Sequence, residues 1–169
     1  MNYIVNAVCT GNICRSAMAQ IVLEDAFKKE NMDIKVISSG ISDEENGNPM
    51  DPRAADVLLD RGYEPHSHIA HKVTGKELKS SDLTLAMTHK HANQLLKMGV
   101  DKDSLYMYRQ FENTSDPEIF VERDGNPPDI TDPWYGDEED FEIALDQIEE
   151  SVRNIVKFVY KRTKEEQAD

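Results

Sequence analysis

The stretch Tyr3-Ile4-Val5-Asn6-Ala7-Val8-Cys9-Thr10-Gly11-Asn12-Ile13-Cys14-Arg15-Ser16 decides how this chain is read. An apolar run over residues 3–8 stops at a thiol, and small, turn-prone residues follow. From Arg15 to Lys29 a helical pattern takes over, with Met18, Ile21, Val22 and Leu23 on or near its inner face. Strand, tight loop and helix form the opening unit of an alternating α/β chain, and the rest of the sequence repeats it. Ile34-Lys35-Val36-Ile37 reads as the second strand, ended by Ser38-Ser39-Gly40. A loop from Asn46 to Pro52 leads to a helix over 52–61, and a short helix near 75–80 precedes the third strand, Leu83 to Met87. A helix over about 89–98 and a short strand Leu105-Tyr106-Met107 complete the repeat. The last helix has the clearest pattern, with Phe141, Ala144, Leu145, Ile148, Val152, Ile155, Val156 and Val159 at three-four spacing. Strands separated by helices imply crossovers, and so a three-layer α/β sandwich: a four-stranded parallel sheet with helices on both faces. Residues 109–136 read as a long, polar, proline-bearing loop of the kind that carries function, and 163–169 as a frayed tail.

At 169 residues the chain suits one domain, 1–169, with a core that needs no covalent staples. Two cysteines, Cys9 and Cys14, cannot form a disulfide framework for such a fold, which points to a reducing compartment. The first residues lack a basic n-region and no apolar run approaches the roughly 20 residues of a membrane span, so a cytoplasmic location is expected. A formal net charge of −14 opposes nonspecific nucleic-acid binding, while leaving room for a local basic pocket.

The pocket falls at the loop. In parallel sheets ligands bind beyond the carboxyl ends of strands, and Cys9 stands at such an end. A thiol attacks phosphorus only as its thiolate, and three features of 9–16 favour that anion. The loop opens onto a helix N-terminus with its partial positive charge. Backbone N–H groups of Thr10 to Cys14, turned inward by Gly11 and a left-handed Asn12, can form an anion nest. Arg15 adds a planar cationic fork suited to two phosphoryl oxygens. The parts that stabilise a thiolate also bind a phosphate and stabilise the transferring group.

The run Cys9 to Ser16 resembles the signature loop of the low-molecular-weight protein-tyrosine phosphatases: cysteine, five residues, arginine, serine, with Gly11, Asn12 and Cys14 as that family has them. The resemblance extends over nearly the whole chain in length and element order. It implies a flavodoxin-like topology, hydrolysis of phosphotyrosine through a cysteinyl-phosphate, and no metal or organic cofactor. Arg15 then binds the phosphoryl group. Asp132, in Asp132-Pro133-Trp134-Tyr135, matches the family's general acid, while Trp134 and Tyr135 wall the slot for a phosphorylated ring beside Thr10, Gly11, Asn12, Ile13 and Cys14. By the same likeness Asn12 is held by Ser16, Ser38 and His68, and Ser16 assists the departing thiolate. Cys14 stands as the family's second cysteine, able to protect Cys9 by a reversible disulfide; as a plain residue it is a small loop filler. The implied partners are a phosphotyrosine protein or peptide and a cognate tyrosine kinase, with no nucleic acid and no membrane.

The sequence departs from the family pattern at Ala17, where proline is commoner, and at Thr88 after Met87, where aspartate is commoner. The rim loop 41–50 carries Asp43, Glu44 and Glu45 where relatives often place an aromatic, which would favour basic peptides. Arsenate reductases of the fold use further cysteines downstream, and none follows Cys14. Protein-arginine phosphatases share the loop and the Met-Thr pair, but with threonine where Ile13 stands; they remain the alternative. A non-catalytic phosphate-binding module could dispense with Cys9 or Asp132, and both are here. The five histidines lack metal-ligand spacing, so no metal site is expected.

Overall fold

The computed structural model describes residues 3–117 and 127–168 of the chain. Strand β1 (Tyr3–Cys9) leads through the cysteine loop into helix α1 (Arg15–Lys29) and then β2 (Ile34–Gly40). Helices α2 (Pro52–Asp60) and α3 (Gly75–Ser80) precede β3 (Leu83–Ala86), followed by α4 (His89–Lys97), β4 (Leu105–Met107) and the long α5 (Glu138–Ala168). All pairings are parallel, in the order β2-β1-β3-β4. The chain steps from β1 to one neighbour, then crosses back to the other. The crevice opens at that reversal, beyond the carboxyl end of β1.

Side-chain alternation along β1 divides the core into two layers. Tyr3, Val5 and Ala7 join the larger cluster, with Met18, Leu23 and Phe27 of α1, Leu58 of α2, and Phe141, Leu145, Ile148 and Ile155 of α5. Val8 points the other way, to Val73, Leu78, Ala86, Leu95, Val100 and Met107. The three-layer parallel sandwich expected from the sequence is the architecture observed.

Two boundaries differ from the sequence reading by more than one residue. β2 does not end at Ile37 but runs to Gly40, because its register against β1 continues from Tyr3↔Ile34 to Cys9↔Gly40. Ser38 is therefore a strand residue directly beside the cysteine loop. The strand closes on Gly40 because a Cβ there would lie 2.7 Å from the Thr10 carbonyl oxygen. α5 continues through Ala168, so 163–168 is helix and not a frayed tail. Within the long polar segment, a 3₁₀ turn covers Tyr108–Phe111, and 118–126 lie outside the described residues. No described helix is long and apolar enough to cross a membrane.

Candidate active site

The cysteine loop is held by a network centred on one buried asparagine. Asn12 is the loop residue in the left-handed region, at φ 63°. Gly11 is not, so its role differs from the turn expected of it: it gives passage to Glu45, whose Cγ would stand 3.1 Å from a Cβ at that position. The Asn12 side chain donates from Nδ2 to Ser16 Oγ and to Ser38 Oγ, each at 2.9 Å. Its carbonyl oxygen accepts the Nε2–H of His68 at 2.6 Å, and its Oδ1 accepts the His71 amide at 3.3 Å. Gln20 Oε1 accepts the Ser38 hydroxyl at 2.5 Å. Burial holds His68 below the usual histidine range, against the opposing pull of its bond to Asn12, so the ring is neutral and donates. Ser16, Ser38 and His68 thus all meet on Asn12, whose side chain serves the loop's shape and does not line the cavity.

Asn12 in αL brings its own N–H to 3.3 Å from Cys9 Sγ, and Ser16 Oγ stands 3.0 Å from the same sulfur. Cys9 is buried at the foot of a cavity of about 210 Å³ lined by Thr10, Gly11, Ile13, Cys14, Arg15, Glu44, Glu45, Asp132, Trp134 and Tyr135. Arg15 opens α1, whose first turn carries no acidic side chain, so the helix N-terminus keeps its positive end toward the loop. Its Nη1 donates to the Ile130 carbonyl at 3.1 Å, and its Nη2 lies 3.6 Å from Asp132 Oδ2. Asp132 accepts the Trp134 N–H on Oδ1 at 3.1 Å, an Asx turn that leaves Oδ2 toward the cavity. Tyr135 is 94% exposed and Trp134 40%, which suits side chains that close on an aromatic guest.

Cys14 lines the same cavity, with its thiol in contact with Asp51. Burial pushes its thiol far up, and Asp51, whose Oδ2 is 3.9 Å from the sulfur, adds to the effect. Both cysteines are free thiols.

Two further contacts left no trace in the sequence reading. Thr10 Oγ1 and His91 Nε2 share a 2.8 Å hydrogen bond, with His91 only 2% exposed beneath the loop. Arg53, on α2, joins Asp51 to the backbone of 134–136. The Met87-Thr88 departure has a plain role here: Thr88 caps α4, accepting the His91 amide at 3.1 Å. Among the described residues no group of three His, Cys, Asp or Glu is poised to hold a metal.

His91 makes the fold sensitive to mild acid. Burial, and then the charge of Arg15, lower its pKa to about 4 from an unfolded value near 6.5. The unfolded chain binds the proton first, so stability is present above about 6.5 and declines as pH falls toward 4. From this group alone the loss between pH 7 and pH 5 is about 2 kcal/mol. Urea midpoints at the two pH values should converge in His91→Gln; an unchanged pH slope in the variant would exclude His91 as the source.

The comparisons with known proteins bear on family and fold. The family model for low molecular weight phosphotyrosine protein phosphatase matches residues 4–167. The low molecular weight protein-tyrosine phosphatase A of Mycobacterium tuberculosis is 34% identical over 160 residues, covering 94% of this chain and 92% of its own. A protein-arginine-phosphatase of Bacillus subtilis is 28% identical over 155 residues, covering 91% and 95%. The crystal structure of a low molecular weight phosphotyrosine phosphatase from Vibrio cholerae superposes with a TM-score of 0.82 at 26% identity, covering 95% of this chain and 99% of that one. With its cysteine loop, strand order and near-complete overlap, the chain belongs to the low-molecular-weight phosphotyrosine protein phosphatase family.

Proposed function

We propose that the chain is a protein-tyrosine phosphatase in which Cys9 is the nucleophile, Arg15 the phosphoryl clamp and Asp132 the general acid. The observation that carries the reading is the single cavity that holds all three, walled by Ile13, Trp134 and Tyr135. The loop amides and Arg15 receive the phosphoryl oxygens. The Cys9 thiolate attacks phosphorus as the bond to the tyrosyl oxygen breaks, and Asp132 gives that oxygen its proton. Water then attacks the cysteinyl-phosphate and loses a proton to Asp132, and the sulfur leaves as a thiolate toward the Ser16 hydroxyl, 3.0 Å away. Ile13 offers apolar bulk against an aromatic ring, with no hydroxyl for a phosphoramidate nitrogen. Cys14, with its thiol pushed up, is a slow guard for Cys9: a protective disulfide forms only when the Cys14 sulfur gives up its proton and attacks a Cys9 sulfenic acid, whose oxygen leaves as water. We place the work of this one-domain enzyme on phosphoproteins of the cytoplasm.

A second reading, arginine phosphatase, draws support from Glu44 and Glu45. Two carboxylates line the cavity where a guanidinium-bearing substrate would place its charge. Phosphate release from matched phosphotyrosine and phosphoarginine peptides, without added metal, decides between them. Faster phosphotyrosine cleavage is expected. Preference for phosphoarginine keeps the nucleophile and overturns the role given to Ile13.

A further inference from the structure

The acid in this site sits on an exposed loop, yet a catalytic carboxyl must be placed to within a fraction of an ångström to protonate a leaving group. Upstream of Asp132 the backbone is tied down: Ile130 N–H donates to Met87 O at 2.8 Å, and Thr131 N–H to Gln147 Oε1 at 2.8 Å. Downstream, the turn 133–136 is closed locally by Gly136 N–H to Pro133 O at 2.9 Å and by Trp134 N–H to Asp132 Oδ1 at 3.1 Å, and Arg53 ties it to α2.

Arg53 reaches this turn with both terminal nitrogens of its guanidinium. Nη1 donates to Gly136 O at 3.1 Å and Nη2 to Trp134 O at 3.3 Å. On the other side Nε donates to Asp51 Oδ1 at 3.1 Å and Nη2 to Asp51 Oδ2 at 3.0 Å. The guanidinium also lies 4.5 Å from the Phe141 ring centroid and 5.7 Å from that of Trp134. Asp51 is itself fixed to the cysteine loop, its N–H donating to Ile13 O at 2.9 Å. Burial works to raise the Asp51 carboxyl, but the Arg53 hydrogen bonds outweigh it and hold it below the usual range, so the pair is ionised. A continuous path of hydrogen bonds therefore runs from Ile13, through Asp51 and Arg53, to the two carbonyls behind Asp132.

We propose that Arg53 is a positioning residue: it fixes the turn carrying Asp132 and Trp134 at a set height above the phosphate loop. Only a fork can hold both partners at once, so a lysine at this position keeps the charge and loses the brace. The proposal rests on Asp132 being the general acid, and it commits to a leaving-group signature. Loss of the brace slows substrates that need a proton and spares those that do not.

The test measures kcat/KM for a phosphotyrosine peptide and for an aryl phosphate with a strongly acidic phenol, in wild type, Arg53→Met, Arg53→Lys, Asp132→Ala and the Arg53→Met/Asp132→Ala double variant. Methionine retains an apolar stem against Phe141. Arg53→Met should lose about 10²-fold on the peptide and much less on the acidic phenol, with Arg53→Lys close behind. In the Asp132→Ala background the same substitution should cost at most about twofold, because the acid it positions is already gone. Equal losses on both substrates, full additivity in the double variant, or complete rescue by lysine overturn the brace. If Asp132→Ala alone shows no leaving-group dependence, the acid assignment falls and takes this proposal with it.

Discussion

Cys9→Ser should abolish turnover, lowering phosphate release from a phosphotyrosine peptide at least about 10⁴-fold. The exchange removes little volume from a buried position, so the fold has small reason to change. What changes is chemistry. The groups near the sulfur, Asn12 N–H at 3.3 Å and Ser16 Oγ at 3.0 Å, steady an anion but offer no base to take a proton from a hydroxyl. A thiolate attacks without one, whereas a serine hydroxyl must lose its proton as it attacks. A serine that did attack would have to leave as an alkoxide in the second step, a far poorer leaving group than a thiolate. Binding of inorganic phosphate should persist, because Arg15 and the loop amides are untouched. Residual turnover above about one part in a hundred would remove Cys9 from the role of nucleophile.

That prediction was available from eight consecutive residues, because a nucleophile, an anion nest and a clamp are local in sequence when they form one loop. The fold was legible for a related reason: strands three to seven residues long, separated by amphipathic helices, admit few arrangements. The contacts that tune the site were not. Thr10 meets His91 across 81 positions and Arg53 meets Trp134 across 81, and both pairs depend on how two crossovers fold back. Arg53 grips carbonyl oxygens, which every residue owns, so no side-chain pattern marks its targets. The end of β2 was missed because Ser38-Ser39-Gly40 reads as a turn in isolation, while pairing with β1 carries it as strand. The length of α5 was missed for the opposite reason. Its apolar periodicity stops near Val159, but a run of good helix formers, Lys161, Lys164, Glu165 and Glu166, sustains the backbone beyond the core.

Asp132→Ala should slow the phosphotyrosine peptide by about 10²- to 10³-fold, the range over which a positioned acid acts. Tyrosine departs as a poor leaving group unless its oxygen is protonated as the bond breaks, so the cost in kcat/KM should shrink to about tenfold or less for a strongly acidic phenol. The second half of the cycle adds a separate signature. In the proposed cycle the same carboxyl accepts a proton from the attacking water, so with the acidic phenol the variant should accumulate cysteinyl-phosphate, seen as a burst of phenol ahead of slow phosphate release. Asp132→Asn separates placement from proton transfer, since an asparagine Oδ1 can still accept the Trp134 N–H that Asp132 accepts at 3.1 Å. If alanine and asparagine are equally slow, the missing proton is the cause; if asparagine recovers most of the rate, Asp132 matters for the turn and the acid lies elsewhere. Stability is a poor explanation for either loss. The Arg15–Asp132 pair is 3.6 Å apart with the aspartate side chain 53% exposed, which makes it worth less than about 1 kcal/mol. The proposed general-acid role requires a variant that melts like wild type yet loses kcat/KM chiefly on poor leaving groups.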